Sequence, residues 1–253
     1  MNDINEHVGK FHNKTALIVL GGPSALGWKE LADKIKPDVV LGANGVNSMI
    51  PDLDYWMCIE NMRRSASLAR KGDSYGKAMM EMLNRTGPKV RLVFRKSVEL
   101  LKNLDNVISV SKRPMFEPDA VPEDFSFRHY GAGYIKGSPM KNKDAIGELK
   151  LAVGTVGLQL LHHAGILGCK QVHTIGYDLQ FREGQDHHAY KYPSYQPNVY
   201  FKPKNFTEHL GVNTMWFWIE TAQFLLAIKP QMDKVGLEWV DHSDGLLSRM
   251  GMQ

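Results

Sequence analysis

The stretch TALIVLGGPSAL, residues 15–26, decides the fold class. Ala16 to Leu20 is a short apolar run without alternation, the pattern of a strand covered on both faces of a parallel sheet. Gly21 and Gly22 follow at once. Pro23 has no backbone N–H and Ser24 is a favoured N-cap, so the chain is expected to turn sharply and enter a helix near Ala25. A strand ending this way exposes backbone amides beside a helix N-terminus, a place that favours an anion such as phosphate. A tight turn that binds nothing is an equal alternative, because a glycine pair after a strand is a weak motif.

Outward from this stretch, the chain alternates between strand and helix signals. Trp28 to Ile35 has the spacing of an amphipathic helix stopped before Pro37. Asp38 to Leu41 reads as the second strand and ends in Gly42-Ala43-Asn44-Gly45. Open α/β sheets place ligands at such carboxyl ends, where Asn44 offers a donor and an acceptor or serves as a left-handed turn residue. Tyr55 to Ile59 is a third strand whose polar end is Glu60-Asn61. Arg63 to Leu83 reads as one or two helices broken near Gly72 and Gly76, before strands at Val90–Phe94 and Asn106–Val110. Strands separated by helices imply βαβ units.

From Ser111 to Lys143 the regularity fails. Prolines at 114, 118, 122 and 139 interrupt a segment rich in aromatics, which marks an irregular insertion over about 111–146, either a lid or a partner-contacting subdomain. Regular signals return at Val153 to Leu167, a buried helix opened by Gly154-Thr155-Val156-Gly157. His162 and His163 lie within it and read as packed rather than catalytic. Lys170 to Ile175 is the next strand and ends in Gly176-Tyr177-Asp178. Asp178 is placed to hold a ligand hydroxyl or a metal, although capping a turn is the commoner use of such an aspartate. A long helix over Asn205–Ile228, a last strand at Leu237–Val240 and a short helix after Ser243-Asp244-Gly245 close the chain. Ser243 reads as a ligand contact or as an N-cap.

Composition narrows the class. At 253 residues the chain is long enough for one large α/β domain, read here as residues 15–253 behind residues 1–14, an N-terminal tail or a short helix capping the fold. The net charge of +4 suits a phosphate-bearing small molecule, and no Lys/Arg run is dense enough for a nucleic-acid groove. Cys58 and Cys169 sit in apolar runs and read as reduced structural thiols of a cytoplasmic protein, with no metal signature. No apolar stretch approaches the roughly 20 residues of an integral membrane span. The oligomeric state is unspecified, a homo-oligomer included.

Taken together, GGPS after the first strand, GAN after the second, GTVG opening an apolar helix, GCKQVHTIGYDL and a histidine-rich loop form a specific order of landmarks. It resembles the bacterial sialyltransferases of the family that includes the Campylobacter lipooligosaccharide enzymes. It also resembles the related archaeal 6-hydroxymethylpterin diphosphokinase-like proteins that share a GxGPS turn. The resemblance covers most of residues 15–190. In the sialyltransferases the GxGPS turn and the following asparagine bind the CMP part of the donor, which implies that role for Gly21, Gly22, Pro23, Ser24 and Asn44. The family's TSG at the helix start also contacts the donor and corresponds to Thr155 and Gly157, with Val156 in place of the serine. Leu20 stands where the first glycine is usual, and Gly21 where the sialyltransferases have asparagine.

The loop after Asp178, about 180–204, carries the residues suited to chemistry. Asp186-His187-His188 precedes Tyr190 and Tyr192. A sugar transfer needs a base for the acceptor hydroxyl, and a histidine near neutral pKa fits that task. Hydroxyls of tyrosine, or Lys191, would stabilise the departing phosphate. In the sialyltransferases a histidine of this loop is the general base and tyrosines bind the donor phosphate, which implies His188 here, with His187 as the second choice. The alternatives for this cluster are an ordinary surface loop or a metal site, and a metal would need more ligands than Asp178 alone supplies.

The expectation is therefore an α/β, Rossmann-like, mainly parallel sheet of about six or seven strands with helices on both faces and an irregular lid. The expected activity is a metal-independent, inverting, nucleotide-sugar-dependent glycosyl transfer to a glycan acceptor, with no cofactor required. The expected ligand is a nucleotide or nucleotide-sugar, CMP-linked by the resemblance, contacting Gly21 to Ser24, Asn44, Glu60, Asn61, Thr155, Gly157, Asp178, Tyr190, Tyr192 and Ser243. One alternative is a diphosphokinase using ATP and Mg²⁺ held by carboxylates such as Glu60 and Asp178, although no Walker A sequence is present. A non-catalytic nucleotide-binding protein is the other.

Overall fold

The computed structural model describes residues 2–3, 7, 9–58, 62–94, 99–101, 106–110, 155–180, 189, 218–219, 221–223, 225–226, 229–230, 232–233 and 236–251. The expectations for Glu60, Asn61, the 111–146 insertion, His187, His188, Tyr190 and Tyr192 fall outside them.

The strands are β1 (Asn2–Asp3), β2 (Thr15–Val19), β3 (Val39–Ala43), β4 (Tyr55–Cys58), β5 (Val90–Phe94), β6 (Val107–Val110), β7 (Gln171–Ile175) and β8 (Glu238–Asp241). They form one eight-stranded sheet in the order β1-β6-β5-β4-β3-β2-β7-β8, and every neighbouring pair is parallel. This is a Rossmann-like α/β architecture. The helices are α1 (Trp28–Ile35), α2 (Met62–Arg70), α3 (Ser74–Asn84), α4 (Val156–Ile166) and α5 (Leu246–Arg249).

The unbroken apolar run of β2 has the physical cause expected of it. Ala16, Ile18 and Leu20 enter a cluster completed by Leu160, Leu161 and Ala164 of α4, while Leu17 and Val19 enter the opposite cluster with Leu31, Met62 and Met82 from α1, α2 and α3. Helices therefore cover both faces, and β2 has no solvent face to mark with polar residues. β4 repeats the arrangement: Tyr55 joins the first cluster and its neighbour Trp56 the second. Cys58 and Cys169 are free, buried thiols, and burial pushes the Cys169 thiol up to about 12.

Two local expectations are corrected. The segment read as a tail or a capping helix packs on the fold and begins as a strand: β1 pairs with β6 at the sheet edge, and the Gly9, Phe11 and Asn13 amides donate to the Ile166, Leu167 and Gly168 carbonyls at 2.9, 2.7 and 2.9 Å. The helical stretch after Cys58 breaks at Gly72, which has φ +87°, and not at Gly76. Gly76 lies inside α3, where a Cβ would stand 2.7 Å from the Ser65 carbonyl of α2, so its lack of a side chain lets the two helices cross closely. Among the described residues no helix is long and apolar enough to cross a membrane.

Candidate functional site

From β2 the chain builds outward through β3, β4, β5 and β6, then returns to the other side of β2 with β7 and β8. The strand order thus reverses between β2 and β7. In open parallel sheets the crevice outside the carboxyl ends at such a reversal is where ligands bind. Here those ends carry Gly21-Gly22-Pro23-Ser24 after β2, Gly176-Tyr177-Asp178 after β7, and Ser243-Asp244-Gly245 after β8.

Asp178 joins all three. Its Oδ2 accepts the Ser24 N–H at 3.1 Å, and its carbonyl accepts the Leu246 N–H at 2.8 Å. The carboxylate lies against Gly22 and the Asp178 backbone against Gly245, so closely that a Cβ at either glycine would overlap it. Asp178 is 5% exposed, and its carboxylate occupies the position beside the glycine turn where an anion is favoured. The turn's other amides are also spent: Gly22 N–H donates to the Gly176 carbonyl at 2.9 Å and Ala25 N–H to the Gly22 carbonyl at 3.0 Å. Pro23 has none. The expected cradle of free amides is therefore absent between residues 22 and 25, because the protein supplies its own anion.

The two serines expected as N-caps serve this same junction instead. Residues Pro23–Gly27 form a 3₁₀ turn capped by Gly22, and Ser24 Oγ accepts the Gly176 N–H at 3.0 Å. The N-cap of α5 is Gly245, while Ser243 Oγ accepts the Tyr177 N–H at 2.7 Å and donates to Asp241 Oδ1 at 2.9 Å. Thr174 donates to the same Asp241 oxygen at 2.6 Å, and Trp239 Nε1 donates to Thr174 at 3.0 Å. Asp241 Oδ2 is buried without a hydrogen-bond partner. Burial, together with the nearby Asp178 charge, pushes the Asp241 carboxyl up to about 6 against the opposing hydroxyl bonds.

Thr155 and Gly157 stand at the start of α4, beside the crevice. Thr155 is the N-cap, its side chain accepting the Leu158 N–H at 3.4 Å, and its hydroxyl bonds that of the buried Tyr177. Burial raises the Tyr177 phenol well above its usual range, so it remains a neutral partner. A Cβ on Gly157 would come within 2.7 Å of Leu20 and 2.8 Å of the Tyr177 ring, so this glycine admits the helix to the sheet. His162 and His163 of α4 are buried, and burial lowers His163 to about 3.

Asn44, at the end of β3, differs from these residues. It has φ +50°, as a left-handed turn residue, and its carbonyl accepts Trp56 Nε1 at 2.7 Å. Among the described residues its side-chain Oδ1 is buried without a hydrogen-bond partner. Ala189, the residue that follows His188 in sequence, donates its N–H to the Gly21 carbonyl at 3.0 Å. Asp241, Tyr177 and Gly245 were not singled out from the sequence. Their position at or just beyond a strand's carboxyl end was the available signal.

The fold and this junction define a Rossmann-like α/β protein with a buried polar junction at the reversal of its strand order. No protein-family model matches the chain, and no curated protein matches it. Among the described residues no group of three or more His, Cys, Asp or Glu side chains is arranged to hold a metal ion.

Proposed function

We propose that the protein is a nucleotide-sugar-dependent glycosyltransferase of the sialyltransferase-like type, working without a metal, with His188 as general base. The observation that supports this most is the Ala189 N–H bond to the Gly21 carbonyl, which ties the histidine-rich loop to the glycine turn at the strand-order reversal. In this reading the nucleotide enters beside Asn44 and the Ser24 hydroxyl. Its phosphate goes to the hydroxyls of Tyr190 and Tyr192, since the amides of residues 22–25 are already committed to the protein. His188 takes the acceptor hydroxyl proton as that oxygen attacks the anomeric carbon. The bond from that carbon to the phosphate oxygen breaks with inversion, and the nucleotide leaves with the electron pair.

A thermal-shift series with CMP, CDP, UDP, GDP and ATP, each with and without Mg²⁺, tests the ligand, because a ligand of the native state raises apparent stability by mass action. Stabilisation by CMP or CDP without metal is expected. His188→Ala should then keep that shift while losing turnover of a CMP-sugar by about 10²–10⁴-fold. The absence of a shift with any nucleotide would remove the reading. The diphosphokinase alternative draws on Asp178, a carboxylate at the head of the crevice, and requires a shift with ATP only when Mg²⁺ is present. A non-catalytic binder would show the shift with no turnover to lose.

A further inference from the structure

On the opposite face of the β7–β8 pair from Asp241, His173 Nδ1 and His242 Nε2 are 2.9 Å apart. The ring centres are separated by 5.1 Å and the planes differ by 29°. That separation is close to the nitrogen contact plus the two ring radii, so the rings meet nitrogen to nitrogen along the line joining their centres and are not laid face on face. The two lone-pair directions point at each other and share no common vertex for a metal ion, and Lys34 of α1 adds a nearby positive charge. A single proton is what this geometry accommodates: one imidazole donates and the other accepts, with both rings neutral.

The pair bridges two strands and adjoins the Tyr177–Ser243 junction in sequence. His173 lies in β7, and His242 directly follows β8, donating its N–H to the Thr174 carbonyl at 2.8 Å. One residue further on, Ser243 accepts the Tyr177 N–H, and Leu246 donates to Asp178. β8 therefore delivers one wall of the site.

We propose that His173 and His242 form a proton-responsive latch that holds β8 against β7 at neutral pH and releases it on acidification, loosening the Ser243–Gly245 side of the crevice. Protonating both rings removes the acceptor and sets two cations against each other, with Lys34 as a third. Both rings are partly buried, and each is held below the ordinary histidine range by desolvation, then by the facing ring for His173 and by Lys34 for His242. The sign follows: the unfolded or detached segment takes up protons before the latched one, so the latch weakens as pH falls below the ordinary histidine value. The inference holds whatever ligand the crevice takes.

Native-state amide exchange at pH 8 and pH 5, corrected for intrinsic rates, tests it on the whole chain. Protection of the Glu238 and His242 amides, which donate to the Lys170 and Thr174 carbonyls, should fall about tenfold or more at pH 5 relative to the central β2 amides. His242→Gln keeps a hydrogen-bonding group near Nε2 without titrating, so it should retain protection at both pH values. His242→Ala should lack it at both. Equal protection of wild-type β8 at pH 8 and pH 5, or the same acid loss in His242→Gln, would overturn the latch. Side-chain ¹⁵N spectra supply a second check: one donor-type and one acceptor-type nitrogen are expected in the bridge at pH 8. Two donor-type nitrogens at that pH would also overturn it.

Discussion

The carboxyl ends of β2 and β3 are both short turns of small residues, but they do different work. After β2, every available amide from Gly22 to Ala25 is bonded within the protein, and the Asp178 carboxylate sits where a phosphate would be expected. After β3, the Asn44 side-chain Oδ1 is buried with no hydrogen-bond partner among the described residues. The first turn is closed on the fold, while the second keeps a buried side-chain oxygen that no described residue pairs. The contrast shows that glycines and exposed amides identify an anion site only once the donors have been counted. A carboxylate far along the chain can take them first.

The largest test of the closed turn is Gly22→Ala. A methyl group there overlaps the Asp178 carboxylate and comes within 2.7 Å of the Gly176 carbonyl, both fixed by hydrogen bonds, so the junction must open. Overpacking together with loss of a charge-assisted bond should cost about 3 kcal/mol or more in urea unfolding. Gly72→Ala is the control: nothing lies within 4 Å of its Cβ position, and only its φ of +87° resists the change. That left-handed backbone should cost about 1–2 kcal/mol. Equal losses in the two variants would mean that the β2 turn is not closed as described.

The comparison also explains what could be read in advance. β5 and α1 were legible to the residue, because an apolar run and an amphipathic period with Pro37 behind it are local signals. Ser24 and Ser243 were not, because the amides they accept belong to residues 152 and 66 positions away. Nothing in their own neighbourhood distinguishes that from a cap. β1 is two polar residues whose strand character comes only from the β6 edge. Asn44 was legible as a left-handed turn residue, since an asparagine between small residues at a strand end is a local signal.

Asp241 gives a test of intermediate size, beneath the closed side. Its folded pKa is raised from 3.8 to about 6, so the folded state binds the proton more tightly than the unfolded chain. Stability from this group is present below the unfolded pKa and is lost as pH rises through the folded one, over a window from about 4 to about 6. A shift of this size is worth on the order of 2–3 kcal/mol. Asp241→Asn should lack that segment of the pH–stability curve. Comparison of wild type and variant at pH 4.5 and 7.5 cancels the opposing contributions of the buried histidines. A difference that does not change between those pH values would show that Asp241 Oδ2 finds a partner when ionised.

Asn44→Gly is the smallest change in stability and the sharpest test of the β3 turn. Glycine accepts the φ of +50° without strain and keeps the backbone carbonyl that receives the Trp56 indole N–H. It also removes a buried Oδ1 that has no partner, so the added backbone entropy is offset and stability should stay within about 0.5 kcal/mol. Ligand affinity should respond differently. If the Asn44 side chain reads the nucleotide, the nucleotide-dependent thermal shift should fall with the loss of a hydrogen bond, about 5- to 10-fold in Kd. Gly22→Ala would lower both quantities together because it disturbs the whole junction. Loss of binding with stability kept therefore separates a ligand contact from a structural one, and an unchanged shift in Asn44→Gly would leave the β3 turn as empty of function as the β2 turn is full.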